Sequence, residues 1–259
     1  MSNVNQLKVK LFADGADLNS MLELYRDPII KGFTTNPTLM KKAGITDYEK
    51  FAKQVLLEIT DRPVSFEVFA DDLDVMFDQA KVIASWGQNV NVKIPVTNTK
   101  GEFTGSIIKE LSAAGIQLNI TAVFTSMQVR AIAENLSYET PAIVSVFAGR
   151  IADTGRDPLP LMSECVEILK NLPKTELLWA SPRELLNIIQ ADEIGCHIIT
   201  ATPDVLGKLK LLEKDLSEFS METVQMFFND ASTAGYTINT QGIIRNNPIT
   251  KRKDDDTKI

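Results

Sequence analysis

Lys93 sits in Asn89-Val90-Asn91-Val92-Lys93-Ile94-Pro95-Val96-Thr97, a charged amine inside a run that reads as a buried strand. The two-residue period of a strand puts Val90, Val92 and Ile94 on one face and Asn91 and Lys93 on the other. Facing the inside of a barrel, such a lysine is desolvated. Desolvation disfavours the charged form, and a neutral amine can attack a carbonyl. The competing assignment is an ion-paired structural lysine, or one that snorkels at a strand end. A buried lysine also needs partners, and Asp14 and Glu67 are carboxylates on strands of the same pattern.

The same alternation applies along the chain. Phe66 and Val68 oppose Ser65 and Glu67; Leu118 and Ile120 oppose Asn119 and Thr121; Val144 and Val146 oppose Ser145 and Phe147. Asp14 closes Leu11-Phe12-Ala13-Asp14, and Ser181 closes Leu177-Leu178-Trp179-Ala180-Ser181. Polar side chains therefore gather toward the C-terminal ends of apolar strands, the end at which barrel enzymes keep their chemistry.

Strands are expected at 8–13, 32–36, 64–70, 89–97, 117–124, 142–150, 176–181 and 196–202, with helical spacing between them, as in 47–60 and 73–85. Eight alternations of strand and helix in 259 residues fit a single α/β domain, a (β/α)8 TIM barrel. An open doubly wound sheet competes, but no Gly-x-Gly-x-x-Gly follows the first strand. Ser220 to Ala234 reads as an additional C-terminal helix with Ser220 as its cap and Val224, Phe227, Phe228 and Ala231 on one face. The barrel with that helix is expected to span 1–239. A polar, flexible tail over 240–259 contains the charge run 251–256.

Composition narrows the function. A net charge of -7 excludes nucleic acid and anionic membrane as main partners, so any phosphate site must be local. The polar N-terminus lacks the blocks of a secretory signal and no apolar run reaches membrane length, which argues for a cytoplasmic protein. Cys165 and Cys196 belong to no paired motif, and His197 is the one histidine in the chain. A disulfide framework, a zinc site and metal-assisted carbonyl chemistry are therefore not expected. Asp71, Asp72 and Asp74 suit a helix start better than a metal site.

From Lys8 to about Pro203 the chain resembles the transaldolase and fructose-6-phosphate aldolase group of class I aldolases. Three segments carry the resemblance: Phe33-Thr34-Thr35-Asn36-Pro37-Thr38-Leu39, Val92-Lys93-Ile94-Pro95-Val96-Thr97 and Phe147-Ala148-Gly149-Arg150-Ile151. The resemblance implies that Lys93 forms an imine with C2 of a ketose phosphate, that Asp14 moves the proton of the C4 hydroxyl, and that Glu67 and Thr121 hold the catalytic water. Asn36, Asn119 and Ser145 would hold hydroxyls, with Thr34 lining the site. No metal or cofactor is implied. Arg150 matches the group's phosphate arginine at the end of the sixth strand. Arg183 is expected to join it, with Ser181 capping a helix whose free N–H groups face the anion.

Glu67 and Phe147 stand where, in this group, the free aldolases carry glutamine and tyrosine, which points to transfer of a dihydroxyacetone unit between sugar phosphates. Release of free dihydroxyacetone, or binding of sugar phosphates without turnover, are the alternatives. The C-terminal helix implies a homo-oligomer by the same resemblance, or packing on its own barrel. Gly15 after Asp14 and Pro182 before Arg183 depart from the group's pattern, which puts acceptor preference in question but removes no catalytic group.

Overall fold

The computed structural model describes residues 4–241. The expected tail falls outside these residues from position 242 on, including the charge run 251–256. Eight strands close into one barrel in chain order: β1 (Lys10–Asp14), β2 (Ile30–Thr34), β3 (Val64–Glu67), β4 (Val90–Pro95), β5 (Leu118–Val123), β6 (Ala142–Val146), β7 (Thr175–Trp179) and β8 (Ile198–Ala201). Every neighbouring pair is parallel, and β1 closes on β8.

Between the strands run α1 (Leu18–Tyr25), α2 (Pro37–Lys42), α3 (Tyr48–Glu58), α4 (Leu73–Ala84), α5 (Gly105–Ala113), α6 (Ser126–Ala133), α7 (Ala148–Ala152), α8 (Leu159–Leu169) and α9 (Leu186–Glu193), and α10 (Pro203–Leu206) follows β8. The barrel and its helix layer are the expected ones. Several strands stop short of the expected spans. The sixth ends at Val146, because Phe147 turns the chain into α7, so Arg150 lies on a helix and not at a strand end.

Two apolar compartments hold this unit together. The larger lies between the barrel and its helices, where Val64, Phe66, Val92, Ile94, Leu118, Ile120, Val144 and Trp179 are sealed. The smaller fills the lumen and consists of Phe12, Ile143, Leu178, Ala180 and Ile198, with Phe147 packed against it. Burying a side chain such as Phe12 stabilises the fold by about 1.5–3 kcal/mol. Gly32 makes room for that ring: a Cβ there would fall 2.5 Å from it.

The aspartates near the third strand serve turns and caps. Asp72 caps α4 by accepting from the N–H groups of Asp74 and Val75, and Asp71 binds the N–H and hydroxyl of Thr99. Among the described residues no group of three or more His, Cys, Asp or Glu could hold a metal ion. No helix among them is long and apolar enough to cross a membrane.

Of the described residues, 213–241 belong to a second unit. Its helix, α11 (Leu216–Thr233), begins ahead of the expected Ser220 cap. The Asp215 carboxylate accepts from the N–H groups of Ser217 and Glu218 and starts the helix there, leaving Ser220 inside it.

Candidate active site

The cavity at the C-terminal mouth of the barrel encloses about 240 Å³. Asp14, Thr34, Asn36, Glu67, Lys93, Asn119, Thr121, Ser145, Phe147, Arg150 and Ser181 all line it. Eleven of the twelve residues singled out in the sequence thus meet in one place; Arg183 does not line it.

Lys93 is 6% exposed and is held from two sides. Its ammonium donates to the Thr35 carbonyl at 2.8 Å and lies 3.2 Å from Glu67 Oε2. The pairing follows from register, since Glu67 and Lys93 are opposite one another on β3 and β4, and Lys93 in turn faces Asn119 on β5. Side chains at opposed positions of a parallel sheet share a face, here the lumen. An ion pair this enclosed is costly to desolvate and needs hydrogen bonds to its remaining protons, which the Thr35 carbonyl helps supply.

Asp14 ends β1 opposite Thr34. The Thr34 hydroxyl donates to Asp14 Oδ1 at 2.8 Å and lies 2.6 Å from the Thr200 hydroxyl. Burial raises the Asp14 pKa above the usual carboxylate value, and the charge of Lys93 and the Thr34 hydrogen bond only partly oppose that. A carboxyl shifted upward beside an amine suits a group that takes and returns protons.

Asn119 is fixed at both ends of its amide. It donates to Ser65 Oγ at 3.0 Å and accepts from Ser145 Oγ at 2.6 Å. The second amide N–H and the Ser145 lone pairs remain for a ligand hydroxyl. Asn36 caps α2 through its oxygen, which accepts from Leu39 N–H at 3.0 Å, so its amide nitrogen is free to donate into the cavity. Pro37 at the first helical turn completes that start.

Thr121 precedes a kink. Ala122 has φ of 59°, and the register between β5 and β6 shifts between Ile120 and Val123. Such a bulge re-aims the side chains beside it, and a left-handed alanine is strained outside a special setting.

Arg150 also lines the cavity, its guanidinium 4.8 Å from the centre of the Phe147 ring, which lies 5.6 Å from the Phe124 ring. Stacking holds the cation without using its N–H donors, which stay available to an oxyanion. Arg183 is committed elsewhere: its Nε donates to Asp153 Oδ1 at 2.9 Å, and a terminal nitrogen bonds the other oxygen.

Ser181 does not cap a helix. Residues 182–185 separate it from α9, whose start at Leu185 carries no side-chain cap. Ser181 instead takes φ of 59° and borders the cavity. Its carbonyl comes so close to Gly149 that a Cβ there would fall 1.5 Å from it.

Thr200, Thr38 and Ala122 also line the cavity but were not singled out in the sequence, and neither was Tyr48, which supports Glu67 from behind. Thr200 shares the lumen parity of Ile198, and that was its available signal. Both cysteines are buried, with thiols pushed up to about 12 by desolvation, so neither is a nucleophile.

A buried lysine paired with a carboxylate, beside a second carboxyl and below a stacked arginine, at the C-terminal mouth of a (β/α)8 barrel, is the constellation of a barrel enzyme. Residues 11–246 match the family model described as Transaldolase/Fructose-6-phosphate aldolase, and the chain belongs to that family. A protein of Nitrosopumilus maritimus named "Probable transaldolase" is 34% identical over 216 residues, covering 83% of this chain and 92% of its own length. Another "Probable transaldolase", from Caldicellulosiruptor saccharolyticus, is 36% identical over 203 residues, covering 78% of this chain and 89% of the relative. Among solved structures, 2,3-dimethylmalate lyase is similar in fold, with a TM-score of 0.51 at 11% identity, covering 92% of this chain and 88% of that one.

Proposed function

We propose that the protein is a transaldolase that moves a dihydroxyacetone unit from a ketose phosphate to an aldose phosphate through an imine on Lys93. The observation that carries this reading is the enclosed Lys93–Glu67 pair with Asp14 lining the same cavity. The amine adds to C2 of the ketose, and loss of water from the carbinolamine leaves an iminium. The iminium accepts the electron pair of the C3–C4 bond as that bond breaks, while Asp14 takes the proton of the C4 hydroxyl. The aldose product leaves, the acceptor aldehyde adds to the retained three-carbon carbanion, Asp14 returns the proton, and water releases Lys93.

Glu67 and Thr121 hold that water in this reading. Asn36, Asn119 and Ser145 hold the hydroxyls of the retained unit, with Thr34 beside Asp14. Arg150 binds the phosphate, and Arg183 would have to leave Asp153 to join it. Sedoheptulose 7-phosphate or fructose 6-phosphate as donor places the reaction in the non-oxidative pentose phosphate pathway, which is a cytoplasmic setting. A homo-oligomer is part of the same reading, carried by the resemblance of the C-terminal helix; sedimentation velocity decides it.

Borohydride reduction with fructose 6-phosphate, followed by peptide mass analysis, tests the chemistry. The reading predicts a three-carbon adduct on Lys93, and an unmodified Lys93 at saturating donor refutes it. Transfer is separated from free cleavage by measuring dihydroxyacetone release with and without erythrose 4-phosphate. Rapid release without acceptor would assign the chain to the aldolase branch, against what Glu67 and Phe147 favour.

A further inference from the structure

The sheet has a gap beside Lys93. β2 and β3 pair only at Phe33 with Val64 and Thr34 with Ser65, and the ladder runs one step further, from Thr35 N–H to the Ser65 carbonyl at 3.3 Å. In a parallel ladder of this register, the next bonds would run from Glu67 N–H to the Thr35 carbonyl and from the residue 37 N–H to the Glu67 carbonyl. The second cannot form, because residue 37 is proline and has no N–H. The first is replaced: the Thr35 carbonyl accepts from Lys93 Nζ instead.

One side chain serves both backbone groups left over at Glu67. The Glu67 N–H donates to the Tyr48 hydroxyl at 2.7 Å, and that hydroxyl donates to the Glu67 carbonyl at 3.0 Å. Tyr48 reaches there from the first residue of α3, with its ring packed on Phe69 at 4.5 Å and Trp86 at 5.5 Å between centroids.

We infer that Tyr48 is a positioning residue for Lys93: by taking over the backbone groups of Glu67, its hydroxyl leaves the Thr35 carbonyl free to hold the amine and fixes the Glu67 carboxylate beside it. Without that hydroxyl, the Glu67 N–H has one good acceptor in reach of its register, the Thr35 carbonyl, and taking it would draw that oxygen toward β3 in competition with Lys93. Burial keeps the phenol protonated far above neutral pH, so it donates under all working conditions.

Tyr48→Phe is the test, with Trp86→Phe as a packing control, since the indole N–H of Trp86 has no partner to lose. In a crystal structure of Tyr48→Phe, Lys93 out of reach of the Thr35 carbonyl is the expected result; unchanged Lys93, Thr35 and Glu67 overturn the inference. The kinetic arm rests on the transaldolase reading. There kcat falls roughly ten- to hundredfold with KM for the donor unchanged, while Trp86→Phe keeps the wild-type kcat. Equal kcat in Tyr48→Phe and wild type also overturns it. Replacement of Tyr48 by 4-aminophenylalanine, which retains a polar para group, restores part of the rate; a rate no better than phenylalanine counts against the inference. A wild-type enzyme that traps no adduct on Lys93 sinks the transaldolase reading, and the crystallographic arm still decides the role of Tyr48.

Discussion

Thr200 and Thr34 meet through their hydroxyl oxygens at 2.6 Å inside the barrel, and Thr34 passes its own proton on to Asp14. Thr34 has one hydroxyl proton, so while it donates to Asp14 the proton between the threonines belongs to Thr200. The three groups form a directed chain that ends on the carboxylate. The charged groups facing Asp14 are Lys93 and Glu67. Removing the Thr200 hydroxyl weakens stabilisation of the ionised form and raises the Asp14 pKa further. In Thr200→Val the acid limb of the kcat/KM profile moves to higher pH, whereas Thr200→Ser keeps the wild-type profile. A valine variant with an unshifted limb would break the link between Thr200 and Asp14.

The raised pKa of Asp14 also has a stability consequence. The folded chain binds this proton more tightly than the unfolded chain does, a contribution complete below the ordinary value of 3.8 and lost as pH rises through the folded value. Above that folded value the fold carries an ionised, desolvated carboxylate. Asp14→Asn removes that cost while keeping an acceptor for Thr34. Its melting temperature exceeds that of wild type at neutral pH, by about 2–4 °C per kcal/mol relieved in a chain of this size. The advantage vanishes on acidification below 3.8, and activity is lost throughout. Calorimetry at both ends of the pH range checks the sign.

The two arginines should respond differently. Arg150 lines the cavity, and Arg183 is tied to Asp153 at the half-exposed surface. Losing a charge-assisted phosphate contact costs about 1.5–3 kcal/mol, so Arg150→Ala raises KM for a phosphorylated donor at least about tenfold. Arg183→Ala has a smaller effect. Asp153→Asn frees Arg183 to turn toward the anion and lowers KM, at little stability cost because the pair is exposed. Initial rates across a donor series distinguish the three.

Gly149→Ala tests the close approach of the loops after β6 and β7. The added methyl would sit 1.5 Å from the Ser181 carbonyl, which must move and take the cavity rim with it. Overpacking of this kind costs about 1–3 kcal/mol, here against backbone and not a flexible side chain. A reduced denaturation midpoint together with a raised donor KM is expected.

Much of this was legible in the chain because strand alternation is a local rule. Ser65, Glu67, Lys93, Asn119, Thr121 and Ser145 could be assigned to one face by parity alone, and barrel closure brings that face into one lumen. What the rule could not reach depends on where strands stop. Arg150 sits on α7 because β6 ends at Val146, and Ser181 enters the left-handed region where a helix cap was expected. Tyr48 was hidden for another reason. Its place in the apolar stripe of α3 marks it as core, and its hydroxyl finds Glu67 only once α3 lies against β3. Thr200 was not singled out in the chain, because its 2.6 Å contact with the Thr34 hydroxyl exists only once β8 and β2 flank β1.

The lumen plug of Phe12, Ile143, Leu178 and Ile198 makes the active cavity a chamber with one door. Phe12 and Ile143 border the opposite mouth, while Leu178 and Ala180 border the cavity, so nothing passes through the barrel. Whatever leaves after the first half of a transfer must exit by the opening through which the second partner arrives. In the proposed transfer, departure then precedes arrival and the two sugars take turns. Double-reciprocal plots at several fixed acceptor concentrations should then run parallel, and excess acceptor should compete with donor for the empty chamber.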